Sequence, residues 1–523
     1  MIKIDLSLPV GYTLSDLKRE ISRTVPVGAE ELSDINLLKR TLLTAREGGL
    51  CYKITVGISL PPDRESGLLK MKKKVAAVPD YSLNIPPSRL TSRPIVVGSG
   101  PAGIFAALIL AEAGARPIVL ERGLSVRERA ARVREFAILA RLDPECNVQF
   151  GEGGAGTYSD GKLKVGGMDG YKHKVLDAFI LAGAGEDILY SSTAHLGTDK
   201  LSGIIENIRK KIISLGGEFV FSARLTNIVL KDGRVSAAVY EKGGEVCELP
   251  TENIILAIGH SAHDTFRMLD AINIPMQARG FGIGVRIEHP REHINKLVYG
   301  ADYPRELESA SYRLVTHLKN GRSVYSFCMC PGGTVVPAAS EQGGIVTNGM
   351  SEYARDAENS NAAFLVSVGV EDFGSDSPLA GFELQRKIER AAYNLTDSYL
   401  APSISMSDFC AKKDARPPAS VKPSYPIGTT PFSPEAYLPD FVTNSLRAAI
   451  SDFEAWMPGF YYGDAMLTGP ETRTTSPVRI LRDENMQSPI ASGLYPAGEG
   501  AGYAGGIVSS AVDGIKCALA VLK

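Results

Sequence analysis

Ile95-Val96-Val97-Gly98-Ser99-Gly100-Pro101-Ala102-Gly103 opens a stretch that runs on through apolar residues to Ala113 and ends in Pro117-Ile118-Val119-Leu120-Glu121. Three consecutive apolar β-branched residues predict a short buried strand at 95–97. The spacing then predicts a tight turn, a helix from about Ala102 to Ala113 and a second strand at 117–120. Together they make a βαβ unit. Each glycine has its own task in such a turn. Gly98 permits the sharp reversal after the strand, Gly100 lets backbone approach a phosphate, and Gly103 lets the helix pack on the strand. The helix start offers free N–H groups and about half a positive charge to an anion. Glu121 ends the second strand about twenty residues on, where a carboxylate can bond both ribose hydroxyls and repel a 2′-phosphate. The stretch therefore predicts a dinucleotide site with an unphosphorylated AMP half.

Working outward, the chain has 523 residues, too many for one hydrophobic core, so two or three domains are expected. Hydrophobic residues make up 44% and charged residues 22%, with a net charge of -2, which favours neither nucleic acid nor an anionic membrane surface as a partner. A small-molecule substrate is the expected partner. The seven cysteines have no disulfide-framework or zinc-ligand spacing, so no metal is expected and a reducing compartment is. The N-terminal twenty residues lack a basic region followed by an apolar core, and a cytoplasmic location is expected.

Residues 2–8 alternate as a half-buried strand. Residues 13–25 read as an amphipathic helix, and 35–44 and 51–60 as strands joined by a hairpin at Arg46-Glu47-Gly48-Gly49. From Pro61 to Pro87 the chain reads as a linker whose Lys72-Lys73-Lys74 is a solvated face. These features predict a β-α-β-β module with its linker over 1–88. A dinucleotide-binding α/β domain is expected over 89–270, an inserted α+β substrate domain over 271–489, and a return to the first domain over 490–523.

Resemblance then narrows the dinucleotide. The turn at 98–103, the helix after it and Val119-Leu120-Glu121-Arg122-Gly123 resemble the FAD fingerprint of the glutathione-reductase-like flavoprotein superfamily. Gly493-Leu494-Tyr495-Pro496-Ala497-Gly498-Glu499-Gly500 resembles its second, C-terminal FAD signature, with Glu499 where an aspartate is usual. The strand ending Ala257-Ile258-Gly259 is similar to a segment that passes near the cofactor. Three blocks, 147–163, 469–479 and 495–506, together resemble one family of uncharacterised FAD-dependent dehydrogenases. That likeness implies FAD, an FAD-binding Rossmann domain with an inserted α+β domain, and no particular substrate. The cofactor-binding residues it implies are Gly98, Gly100, Pro101, Ala102, Gly103 and Glu121 at the turn. Arg122 and Arg129 are expected nearby, with Arg127 on the helix surface. Gly153, Gly154, Ala155, Gly156, Thr157, Asp160 and Lys162 form a glycine loop against the flavin. Ala257, Gly259, Gly498, Glu499, Gly505, Gly506 and Ile507 close the other side.

For chemistry, Lys162 is expected to stabilise reduced flavin and Arg473 or Arg479 to meet an anionic substrate. His260, His263 and His289 are the candidates for proton transfer. Cys328-Met329-Cys330 reads as buried thiols at a strand end. Residues two apart on a strand share a face but are poorly placed for a disulfide. Gly280-Phe281-Gly282-Ile283-Gly284 has the wrong spacing for a second dinucleotide turn, so NADH or NADPH would bind only transiently as electron donor. The expected activity is that of an FAD-dependent oxidoreductase. A flavin monooxygenase and a non-catalytic FAD-binding redox sensor or scaffold stand as alternatives.

Overall fold

The computed structural model describes all residues except 45–48, 71–74 and 164–165. It is a mixed α/β structure. At its centre is a five-stranded parallel sheet, ordered Leu494–Pro496, Ile254–Leu256, Ile95–Val97, Ile118–Leu120, Glu218–Val220. The first four strands are buried throughout, as expected of a parallel sheet covered on both faces. Alternation decides the faces. Val96, Val119, Ile255 and Tyr495 point to one side, toward the helices Pro101–Glu112, Gly197–Ser214 and Ile507–Val521. Ile95, Val97, Ile118, Leu120 and Ile254 point to the other. There they meet Leu225, Ile228 and Val235 of an antiparallel ribbon (Arg224–Lys231, Arg234–Lys242, Glu245–Pro250) and Phe266 and Leu269 of the helix His263–Ala271.

Helix Pro101–Glu112 is buried at every position from Ala102 to Ala111. A helix apolar all round must be enclosed by neighbours, and helix Ile507–Val521 is the closest of these. Gly514 makes that approach possible, because a Cβ there would lie 2.0 Å from the Ala102 carbonyl oxygen.

A second, seven-stranded sheet runs Val315–His317, Ser323–Cys330, Asn359–Val368, Phe281–Pro290, Met466–Glu471, Ala401–Ser405, Thr429–Pro431. It is antiparallel except for its last pair. Helix Asp440–Trp456 covers one face with Val442, Leu446, Ala449, Ile450 and Phe453. A short ladder pairs Met276–Ala278, on the way into this sheet, with Val478–Ile480, on the way out.

The N-terminal residues form a four-stranded sheet ordered Ile35–Leu43, Cys51–Ile58, Ile2–Pro9, Val75–Ala77, backed by helix Leu14–Thr24. A capping box between Thr13 and Asp16 starts that helix. The expected linker is partly structured. Residues Pro62–Leu69 are helical and Val75–Ala77 pairs with Ile2–Ile4. Pro62 sits in the first helical turn, where its missing N–H costs nothing, and Leu68 is buried. Residues 46–48 of the expected hairpin and the lysine run at 72–74 lie outside the described residues. Among the described residues no helix is long and apolar enough to cross a membrane.

Two glycines give opposite expectations. Gly514→Val should lower the urea midpoint by the equivalent of about 1–3 kcal/mol through overpacking. Gly203→Ala, on an open helix face with nothing within 4 Å of the new Cβ, should raise stability by about 0.4–1 kcal/mol. Equal midpoints for the two variants would disprove the close helix contact.

Candidate functional site

At the C-terminal ends of the parallel strands lies a cavity of about 320 Å³. Ligands of open α/β sheets bind in this position. The first wall is the glycine turn. Gly98, at φ +93°, has no room for a side chain, since a Cβ would lie 2.3 Å from the Ala257 carbonyl oxygen. At Gly103 a Cβ would lie 1.9 Å from the Gly98 oxygen. Gly100 differs from both. Its nearest neighbour would be the Gly154 Cα at 3.6 Å, so its open side is the cavity itself. Pro101, Ala102, Gly154, Ala155 and Gly156 line the same wall, and Gly505, Gly506, Ile507 and Ser509 line the facing one. Two helices, Pro101–Glu112 and Ile507–Val521, therefore begin at the cavity, and neither start is capped by a side chain. Their free N–H groups make the cavity attractive to anions.

Glu121 lines the cavity at 4% exposure, but its carboxylate already has partners. One oxygen accepts from Ser99 N (2.8 Å) and Ser99 Oγ (2.6 Å), the other from Gly123 N (2.9 Å) and Gly151 N (3.1 Å). It therefore fastens the turn to the loop at 151. Arg122 lines the cavity too, paired with Asp264 and lying over the Phe150 ring at 4.3 Å. Arg129, expected near a phosphate, does not line the cavity. It is fully buried and donates to the carbonyls of Asn147, Val148, Gly151 and Glu152, so it shapes the loop from behind. Arg127 pairs with Glu206 on the exposed helix face.

Within the glycine loop, Gly153 and Thr157 sit behind the lining. Gly153 N donates to the Ser99 carbonyl at 3.0 Å, and buried Thr157 accepts at its carbonyl from Thr198. Asp160 reaches the cavity with its carboxylate held by Arg355. Lys162 also lines it, donating to the Met329 carbonyl and lying 3.6 Å from Asp160.

The third wall comes from the seven-stranded sheet, the short strand Thr347–Met350 and the loop after Glu471, and little of it was legible in the sequence. Phe327, Cys328, Asn348, Glu471 and Thr474 line it. Arg286, with no exposed surface, donates to both Glu471 oxygens, to Asn348, to Asn361 and to the Cys328 carbonyl. Burial nevertheless pushes the Glu471 carboxyl up to about 7. Glu471 falls inside one of the sequence blocks quoted above, so its neighbourhood was readable. Arg286 and Asn348 carry no local signal. Cys328 was expected to be buried. Instead it lines the cavity, because a bulge interrupts its strand between Phe327 and Cys330 and puts Cys328 at φ +39°.

The expected proton-transfer and anion residues divide. His260 lines the cavity, and burial, helped by the Arg473 and His263 charges, pushes it down to about 3, so its ring is neutral near pH 7. His263 lies behind the lining, with Nδ1 2.7 Å from Glu341 and its ring against Phe382. His289 belongs to the core of the seven-stranded sheet, where Nε2–H donates to the Phe460 carbonyl at 2.9 Å. Arg479 donates to the Gly502 carbonyl and is not at the cavity. Arg473 is at the cavity, but Glu389 grips it through two bonds of 3.0 and 2.8 Å and neutralises it. A free clamp for a substrate anion is thus not what Arg473 presents. Ala257 and Gly259 line the cavity. Gly498 does not, and its N–H donates to Asp513 at 2.7 Å. Glu499 does, and burial, with the nearby Cys328 charge, pushes it up to about 7.

A family model described as "FAD-dependent protein, C-terminal domain-like" matches residues 280–474. An uncharacterized protein of Clostridium beijerinckii is 42% identical over 527 residues, covering 99% of this chain and 98% of that protein. Among solved structures, a 3-ketosteroid dehydrogenase from Rhodococcus jostii RHA1 gives a TM-score of 0.37 at 13% identity, covering 84% of this chain and 100% of its own. A geranylgeranyl bacteriochlorophyll reductase-like protein from Thermoplasma acidophilum gives 0.34 at 11%, covering 81% and 76%.

Glu499 supplies a pH test. A carboxyl raised from 4.5 to about 7 on folding stabilises the folded state fully below about 4.5, and that contribution is lost as pH climbs through about 7. Relative to Glu499→Gln, the wild-type urea midpoint should therefore fall across this window, leaving the variant the more stable above pH 7. Parallel profiles would show that Glu499 titrates normally.

Proposed function

We propose, from the premise that this chain belongs to the family of FAD-dependent proteins sharing this C-terminal domain and its Clostridium beijerinckii relative, that the cavity holds FAD and serves an oxidoreductase reaction. The observation that carries the proposal is the meeting of two uncapped helix starts and the open face of Gly100 in one cavity. A pyrophosphate is the anion such a place suits. When bound, FAD supplies the two-electron chemistry, and the protein's share is to bind, orient and manage protons.

In this reading Gly98, Gly100, Pro101 and Ala102 hold the pyrophosphate, with Gly505, Gly506 and Ile507 facing them. Gly103, Gly153, Thr157, Gly498 and Arg129 act from behind by fixing the backbone. Arg122 flanks the adenosine half. Glu121 is reserved chiefly for the turn, since four donors of the chain already meet its carboxylate. Gly154, Ala155, Gly156, Asp160 and Lys162 accompany the flavin half, with Ala257, Gly259 and Glu499 opposite. The ammonium of Lys162 opposes negative charge that develops on reduction. Glu499, near 7, can hold or release a proton at working pH. Neutral His260 offers a hydrogen bond without a charge. Residues 89–270 and 490–523 would make the FAD-binding Rossmann unit in the glutathione-reductase-like layout, 271–489 the inserted α+β substrate part and 1–88 an accessory module. A small molecule is the substrate, NADH or NADPH a transient donor, and the cytoplasm the location.

The purified protein should be yellow and release FAD on denaturation. Gly100→Val should fold with an unchanged circular dichroism spectrum yet retain no FAD, because its side chain enters the cavity. Gly103→Ala should instead lower stability. A colourless protein that fails to take up added FAD would sink the proposal. A second experiment concerns the donor. NADH or NADPH added anaerobically should bleach the flavin band, and a band unchanged by both removes nicotinamides as electron donors.

A further inference from the structure

The bulge at Cys328 does more than bring one side chain to the cavity. Phe327 pairs with Ala363 and Cys330 with Asn361, so the strand carries an extra residue at 328–329. In an unbroken strand, side chains two apart stand parallel and separate along the pleat. Here left-handed backbone at Cys328 breaks the pleat. The buried Cys330 thiol donates to the Cys328 carbonyl at 3.4 Å, while Cys328 itself lines the cavity, half-buried. Two cations bracket the pair. Arg286 donates to the Cys328 carbonyl at 2.8 Å, and Lys162 donates to the carbonyl of Met329 between the two cysteines. The acids of this region are Asp160, held by Arg355, Glu471, held by Arg286, and Glu499.

We propose that Cys328 and Cys330 are a dithiol–disulfide couple that exchanges an electron pair with FAD in the cavity, Cys328 being the cavity-facing nucleophilic sulfur and Cys330 its buried partner. The neighbouring Cys330 thiol, then Arg286 and Lys162, hold the Cys328 thiol well below the ordinary thiol range against the opposing effect of burial. Cys330 is raised. One sulfur is thus primed as thiolate while the other keeps its proton, the division a thiol pair needs. The step balances. The Cys328 thiolate and the Cys330 thiol form an S–S bond, the Cys330 S–H bond breaks, and two electrons leave. FAD accepts them with that proton and one from solvent, giving reduced FAD. In reverse, reduced flavin opens the disulfide. An external dithiol or disulfide reaches the couple only through Cys328.

The inference rests on the FAD reading, and two measurements on the full-length protein keep them separable. The first needs no flavin. After treatment with diamide and then alkylation, peptide mapping should find Cys328 and Cys330 joined, and in Cys330→Ser it should find Cys328 alkylated or in a mixed disulfide. The second uses the FAD-loaded protein anaerobically. Dithiothreitol should bleach the flavin band, at least tenfold more slowly in Cys328→Ser and in Cys330→Ser. If the protein binds FAD but both cysteines are recovered separately after diamide, the couple is refuted and the FAD reading stands. Bleaching as fast in Cys328→Ser as in wild type also refutes it. If the disulfide forms in a protein that takes up no FAD, electron exchange with flavin is refuted together with the proposed function.

Discussion

A guanidinium taken wholly out of water must find acceptors for all its N–H groups, or the desolvation cost of several kcal/mol per ion is left uncompensated. Two arginines face that constraint here, Arg286 placing all five of its N–H groups and Arg129 four, and the cavity is built around how they do so. Arg286 places its donors on Glu471, Asn348, Asn361 and the Cys328 carbonyl. Arg129 spends its donors on four carbonyls between Asn147 and Glu152. The first fixes the wall contributed by the seven-stranded sheet, and the second fixes the loop that meets the glycine turn. Neither set of acceptors can move far without exposing a buried charge to an empty space. Irregular backbone, a bulge in one case and a loop in the other, is held as firmly as a strand would be.

Carboxylates of one residue type are set apart by the same logic. Glu121 receives four donors from the chain and ties three backbone segments together. Glu471 has a buried cation and is still pushed up by burial. Glu499 faces the cavity and is pushed up as well. The first is a fastening and the last a group whose proton can come and go, and nothing in the residue name distinguishes them.

What could be read from the sequence was what is local. The strand at 95–97, the turn, the helix after it and the strand ending at Leu120 depend on neighbours in the chain, and the glycine spacing carried them. The helix Gly197–Ser214 and the turn joining Arg224–Lys231 to Arg234–Lys242 are local features of the same kind. The remainder depends on partners far along the chain. Asp160 meets Arg355 and Arg286 meets Glu471 across separations of 195 and 185 residues. The bulge that opens Cys328 to the cavity arises from pairing with Asn359–Val368 and leaves no mark in Cys-Met-Cys-Pro-Gly-Gly. Arg129 and His289 looked functional because charged and imidazole side chains are usually exposed. Only three-dimensional enclosure shows them to be internal supports. The proline-rich stretch after Leu60 looked like a linker because proline serves equally to open a helix.

The central sheet also has an order of assembly written into it. Its edge strand Leu494–Pro496 and the helix Ile507–Val521 are synthesised long after the turn at Gly98 and the wholly apolar helix that they enclose. While translation proceeds through the intervening sheet, helix Pro101–Glu112 has an uncovered apolar flank and the cavity lacks one of its two helix starts. On the proposed function, cofactor capture waits until the C-terminal segment docks, and a chain cut short before that point keeps the exposed surface by which quality control recognises unfinished proteins.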